Sequence, residues 1–169
     1  MKRTLITLAL AVATLSAGNA FAQANSATAT ANANARVVAA IGLNKTADLN
    51  FGDVVAGASL GTVVMSFGGA RSATGGTTLG NANGAAAAAF GVTGVAAATY
   101  AITLPGSPIT ISDGASHTMT VGTFSGSKAT GTLSGGGTDS FTVGATLNVA
   151  AAQVAGSYTG TFNVTVAYN

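Results

Sequence analysis

Apolar side chains recur at every second position through most of this sequence, the spacing that places them on one face of a pleated strand. The clearest run is Tyr158 to Asn169, where Tyr158, Gly160, Phe162, Val164, Val166 and Tyr168 share one parity and Thr159, Thr161, Asn163 and Thr165 take the other. Phe141, Val143, Ala145, Leu147 and Val149 alternate in the same way with Thr142, Gly144, Thr146 and Asn148. Both runs predict strands buried on one face. Shorter alternations predict strands at Thr62 to Phe67, with Val63 and Met65 inward, at Phe90 to Gly94, at Thr99 to Leu104, at Ile109 and Ile111, and at Met119 to Phe124. The last run changes phase at Gly122-Thr123, which predicts a β-bulge.

Between these runs stand Gly68-Gly69, Gly75-Gly76, Gly80-Asn81-Ala82-Asn83-Gly84, Asp113-Gly114 and Gly135-Gly136-Gly137, all read as turns. Ala85 to Ala89 is compatible with a helix but is too short to form one alone, and is read as the lead-in to the Phe90 strand. Many short strands divided by turn signals predict an all-β chain, an immunoglobulin-like antiparallel β-sandwich. So many small residues make the expected core thin, which shifts weight onto backbone pairing.

The longest alternation lies near the start. Ala27, Ala29, Ala31, Ala33, Ala35, Val37, Ala39, Ile41 and Leu43 hold one parity, against Thr28, Thr30, Asn32, Asn34 and Arg36 on the other. Eighteen residues from 27 to 44 exceed an ordinary strand. The stretch is therefore divided into a free arm, about residues 24–36, and a strand of the domain that follows. A strand of Ala, Thr and Asn is driven too weakly to fold alone, but it can pair with an open sheet edge, where main-chain bonds give affinity and alternate side chains fill pockets. The final apolar strand ends at Asn169 with nothing after it to pair beside it, so an uncovered edge is expected there. An arm that fills the edge of the next copy, copy after copy, makes a head-to-tail contact that does not close, and hence a fibre.

Charge and targeting signals fit that picture. Met1-Lys2-Arg3, the apolar stretch Leu5 to Leu15 and the small residues of Ala20-Phe21-Ala22 read as a signal peptide over residues 1–22, too short to span a membrane. Without it 147 of the 169 residues remain, carrying Arg36, Lys45, Arg71 and Lys128 against Asp48, Asp53, Asp113 and Asp139. A formal charge of zero offers little resistance to association. The absence of cysteine means that the exported fold does not rest on disulfides.

Catalysis needs titratable groups in quantity, and the exported region has one His, four Asp and no Glu or Cys. His117 is read as a surface turn residue, although Asp113 lies four positions before it. Arg71, in a Gly-Ser-Thr stretch, is read as a solvated loop charge. There is no Gly-Lys-Ser or Gly-Lys-Thr and no metal-ligand spacing. The expectation is no enzyme, no cofactor, no metal, no nucleic acid and no membrane insertion of the exported chain.

The last strand, with its penultimate Tyr168 and with Gly156 fourteenth from the end, resembles the C-terminal motif of chaperone–usher fimbrial subunits. Ala155-Gly156-Ser157-Tyr158-Thr159-Gly160 is similar to the equivalent stretch of disulfide-free alternative-class subunits. Leu49-Asn50-Phe51-Gly52, Arg71-Ser72-Ala73-Thr74-Gly75-Gly76, Tyr100-Ala101-Ile102-Thr103-Leu104-Pro105 and Val143-Gly144-Ala145-Thr146-Leu147-Asn148-Val149 resemble a secreted bacterial family catalogued as a domain of unknown function. The fimbrial resemblance implies a sandwich lacking one strand. A periplasmic chaperone would bind the last strand, an outer-membrane usher would receive the subunit, and the next subunit's N-terminal arm would then replace the chaperone.

The expectation is thus a structural subunit exported through the periplasm to the cell surface. Residues 23–36 would be the donor arm, with Ala27, Ala29, Ala31, Ala33, Ala35 and Val37 as donor side chains, and residues 37–169 the domain. Gly156, Tyr158, Phe162, Val164, Val166 and Tyr168 would mark the acceptor and chaperone-binding strand. The alternatives are a self-complemented, secreted monomeric surface or matrix protein, and an amyloid-like matrix protein.

Overall fold

The computed structural model describes residues 26–169. The predicted signal peptide and residues 23–25 of the predicted arm lie outside the described residues. The chain divides into two units, residues 1–36 and 37–169. In the first, residues 26–36 form no strand and are exposed.

The second unit is all-β. Its strands are β1 (Gly42–Ala47), β2 (Val54–Met65), β3 (Arg71–Leu79), β4 (Ala88–Thr93), β5 (Thr99–Thr103), β6 (Ile109–Ser112), β7 (Thr118–Gly126), β8 (Thr130–Thr132), β9 (Thr138–Val149) and β10 (Thr165–Tyr168). All pairings are antiparallel. The larger sheet runs β1-β4-β9-β2-β3, with the β6–β7 hairpin joined to β9 through β7, and the smaller sheet runs β10-β5-β8. The two sheets pack face to face as a β-sandwich.

The long strand β9 organises the larger sheet. Its first half pairs with β4, and from Ala145 onward it runs between β2 and β7. Gly144 stands where β4 gives way to β2, and a side chain there would strike the Met65 carbonyl. The predicted inward set Phe141, Val143, Ala145, Leu147 and Val149 is buried throughout. One core cluster joins Phe90, Val92, Tyr100, Leu133, Phe141 and Val143, with Phe162, Val164, Val166 and Tyr168 packed against it. A second cluster joins Val63, Val121, Ala145, Leu147 and Val149.

The phase change in β7 is a bulge. The β7–β9 register shifts between Gly122 and Ser125, and Thr123 takes a left-handed φ of 50°. Val121 therefore points inward on one side of it and Phe124 on the other.

Four expectations need correction. Gly75-Gly76 is no turn, because both residues lie within β3, where Gly75 (φ 69°) faces Gly61. The Leu60 carbonyl lies so close to Gly75 that a side chain would collide with it, so the glycine serves close backbone approach at a bulge. Arg71 opens β3 and is no free loop charge. The strand predicted at Thr62 begins eight residues earlier, at Val54, where glycine and serine hide the alternation. The domain strand within the alternation of residues 27–44 begins only at Gly42.

Candidate functional site

The last twelve residues keep the predicted alternation. Tyr158, Phe162, Val164, Val166 and Tyr168 are half-buried, whereas Thr159, Thr161, Asn163, Thr165 and Ala167 are exposed. Gly160, placed on the inward parity, is exposed. Ladder pairing covers much less of the segment. Thr159 exchanges two backbone bonds with Ser112, at 2.9 Å each, and the chain then joins no strand until Thr165, where β10 pairs with β5. Residues 160–164 thus run extended along the sandwich with their backbone outside any ladder. β10 is an edge of the smaller sheet, and β1, which pairs with β4 alone, is an edge of the larger.

Between the run that precedes β10 and the stretch from β1 toward β2 lies a groove of about 1350 Å³. One wall is the run from Gln153 to Val164, and the other is Leu43 with the stretch from Lys45 to Ala56. The floor carries Ala88, Phe90, Val121, Leu147 and Val149. The floor is apolar because it is the inward face of strands that continue beneath it as core, whereas the walls carry polar groups such as Asp48, Asp53, Gln153 and Asn163. Phe162 anchors the unpaired run. Its ring meets Phe90 edge-on at 6.4 Å and lies tilted against Phe124 at 5.0 Å, and Phe90 stacks in turn on Phe141 at 5.3 Å.

Two tyrosines pin the chain on either side of the unpaired run. The Tyr168 hydroxyl accepts from the Val95 N–H at 2.8 Å and donates to the Ala39 carbonyl at 3.2 Å, which ties the last strand to the segment entering β1. A side chain at Gly94 would collide with that hydroxyl. The Tyr158 hydroxyl donates to the Val154 carbonyl at 2.7 Å and accepts from Gln153 Nε2 at 2.8 Å, closing the loop before the run. Gly156 lies in this loop, with room for a methyl at 3.4 Å from Asp113 Cβ, so nothing in the structure explains its being glycine.

Of the predicted acceptor residues, Gly156, Tyr158, Phe162 and Val164 line this wall, whereas Val166 and Tyr168 lie in β10, paired with β5 and packed on the core. Of the predicted donor residues, Ala27 to Ala35 are exposed and without strand structure, and Val37 is 98% exposed. The opposite wall, β1 and the stretch to Ala56, was not singled out from the sequence. Its signal was the inward parity of Ile41 and Leu43, which speaks for burial and is silent about which strand edge stays unpaired.

The charged groups have structural duties. Arg71 donates from Nη1 to the Phe51 carbonyl at 2.7 Å and from Nη2 to the Gly80 carbonyl at 3.2 Å, holding the loop that forms one wall. Asp139 joins the sheets: it accepts from the buried Tyr100 hydroxyl at 2.8 Å and from Lys128 Nζ at 2.8 and 2.9 Å. Burial and the Asp139 carboxylate push the Tyr100 phenol well above its ordinary range. Burial acts to raise Asp139 as well, but the bonds from Lys128, Tyr100 and the Ser140 N–H outweigh it and leave the carboxyl below its usual range. Asp113 and His117 do pair, at 2.6 Å, across the turn of the β6–β7 hairpin, with His117 exposed as expected. The Ala115 N–H, the His117 ring and further turn N–H groups hold Asp113 well below the carboxylate range. Among the described residues no three His, Cys, Asp or Glu side chains converge as a metal site.

Residues 41–168 match the family described as Domain of unknown function (DUF4402). The chain belongs to this family. The matched span opens one residue before β1 and closes with β10, so it contains both walls of the groove. No curated protein and no solved structure matches the chain.

Proposed function

We propose that this protein is a structural subunit of a bacterial surface fimbria, polymerised by insertion of the N-terminal arm of one copy into the groove of the next. The observation that carries the reading is the groove itself: a trough with an apolar floor and polar groups on its walls, between β1 and the run into β10, with the backbone of residues 160–164 outside any ladder. Backbone groups in such a position favour an added strand, because the ladder bonds come without a rearranged core. The arm has the matching character, being uncharged up to Arg36, exposed over residues 26–36, and built with alternate small apolar residues.

The magnitudes are adequate. Five buried alanine methyls contribute about 4 kcal/mol at roughly 0.8 kcal/mol each. Eight to ten ladder bonds at about 0.5–1.5 kcal/mol each add as much or more. The backbone contribution explains how a donor of alanines suffices. In this reading a periplasmic chaperone covers the same groove before assembly, an outer-membrane usher receives the subunit, and the protein has no catalytic role, cofactor or nucleic-acid partner.

The test is deletion of residues 23–36 from the exported chain. Fibres seen by electron microscopy should disappear, and a synthetic peptide of residues 26–38 should bind the remaining chain. Fibres that persist after the deletion overturn the proposal, and a full-length chain that stays monomeric at high concentration favours self-complementation instead.

A further inference from the structure

Among the described residues, charge pairing leaves two groups over. Lys45 pairs with Asp48 at 2.5 Å, Lys128 with Asp139, and His117 with Asp113. Arg71 is engaged by backbone carbonyls. The Asp53 carboxylate accepts from neutral Asn83 Nδ2 at 3.0 Å, while Arg71 Nη1 reaches only the Asp53 backbone carbonyl, at 3.4 Å, and no ion pair among the described residues includes Asp53 or Arg36. Arg36 is the one charge of the predicted arm, and Asp53 lines the groove that the arm is proposed to fill.

Their positions along the groove agree. Tyr168 bonds to Val95 and Ala39, so the C-terminal end of the wall lies where β1 begins. Phe162 touches Phe90, which pairs with Lys45, and Ala86 bridges Asn50. Moving back from Tyr168 toward Tyr158 therefore follows the opposite wall forward from Ala39, past Lys45 and Asn50, toward Asp53. Arg36 stands at the C-terminal end of the arm. It meets Asp53 only if the arm runs from the Tyr168 end toward the Tyr158 end, antiparallel to β10. Parity agrees as well. With Ala27 to Val37 facing the floor, Arg36 sits on the outward parity at the rim, where Asp53 is exposed.

We propose that Arg36 of an incoming copy pairs with Asp53 at the Tyr158 end of the groove, fixing the direction and register of the inserted arm. This inference rests on the polymerisation proposed above. Alternating alanines alone specify register weakly, since a slip of two residues puts an equivalent set on the floor. A single charge at one end removes that degeneracy, and Val37, the largest donor side chain, then enters beside Phe51 and Val54.

The chain has no native cysteine, which permits a direct test on the full-length exported protein. Arg36→Cys combined with Asp53→Cys should give, on mild oxidation, a ladder of covalent multimers on denaturing gels. Arg36→Cys combined with Asn169→Cys, which places the second thiol at the far end of the groove, should give none. A ladder from the Asn169 pair overturns the direction, and a cross-linked monomer from the Asp53 pair shows the arm closing its own groove and overturns the inference. In parallel, Arg36→Glu and Asp53→Lys should each slow fibre growth about three- to tenfold, the scale of an exposed ion pair changed to repulsion, and the double reversal should recover most of the rate. Fibres that still require residues 23–36 but ignore all three charge variants overturn the Arg36–Asp53 pair and leave the polymerisation proposal standing. Fibres that form without residues 23–36 overturn both.

Discussion

Asp139 shows how much one side chain carries in a protein with so few charges. It is the shared acceptor for Tyr100 on one sheet and for Lys128 on the connection into β8, and its own strand belongs to the other sheet. Asp139→Ala would strand a buried phenol and a half-buried ammonium, at an expected cost of about 1–3 kcal/mol in urea unfolding. The pH dependence has a definite sign. Tyr100 has a folded-state pKa above its unfolded value of about 10, so its contribution is complete below that pH and is lost as the pH rises beyond it. Asp139 and Asp113 are displaced downward, so theirs is present above the ordinary carboxylate range and is lost on acidification. Urea midpoints followed from neutral to alkaline pH should fall beyond about pH 10, and Tyr100→Phe should remove most of that fall. From sequence alone Asp139 was only one of four aspartates. The partners that give it a role lie 11 and 39 residues away, a separation at which local patterns carry no information.

Strands were legible where the period of two ran without interruption. β9 and the inward face of residues 158–168 follow from alternation because a strand has only two faces and one of them is dry. The β7 bulge was legible for a related reason, since one inserted residue moves the apolar parity from Val121 to Phe124. In the fold, Thr123, a β-branched residue, bears the left-handed φ of 50°. Thr123→Gly should relieve it and stabilise the domain by about 0.5–1 kcal/mol, read from a denaturation midpoint, because the exposed side chain gives up no core contact. β3 escaped detection for the converse reason. Its glycines look like turn residues, but they are there because Leu60 and Ser59 of β2 press against them. The meaning of a glycine depends on whether its neighbour is solvent or another backbone, and that neighbour lies on another strand.

For the molecule as a whole, the prominent feature is a groove with an apolar floor between β1 and the run that leads into β10. If the arm of a second copy fills it, a free peptide of residues 26–38 should also bind, and by mass action it should raise the melting temperature of the arm-deleted chain as its concentration rises. A melting temperature indifferent to the peptide would remove the support for strand addition. Period-two patterning and the lack of cysteine were enough to indicate an all-β sandwich without disulfides and to single out the last twelve residues as buried on one face, because burial parity is a local property of extended chain. Which edges stay unpaired, which glycines mark contact instead of turning, and where Asp53 and Asp139 stand required the folded chain. Those facts depend on pairings between residues far apart in sequence, such as Lys45 with Phe90 and Tyr168 with Val95, and no window along the polypeptide contains both members of such a pair.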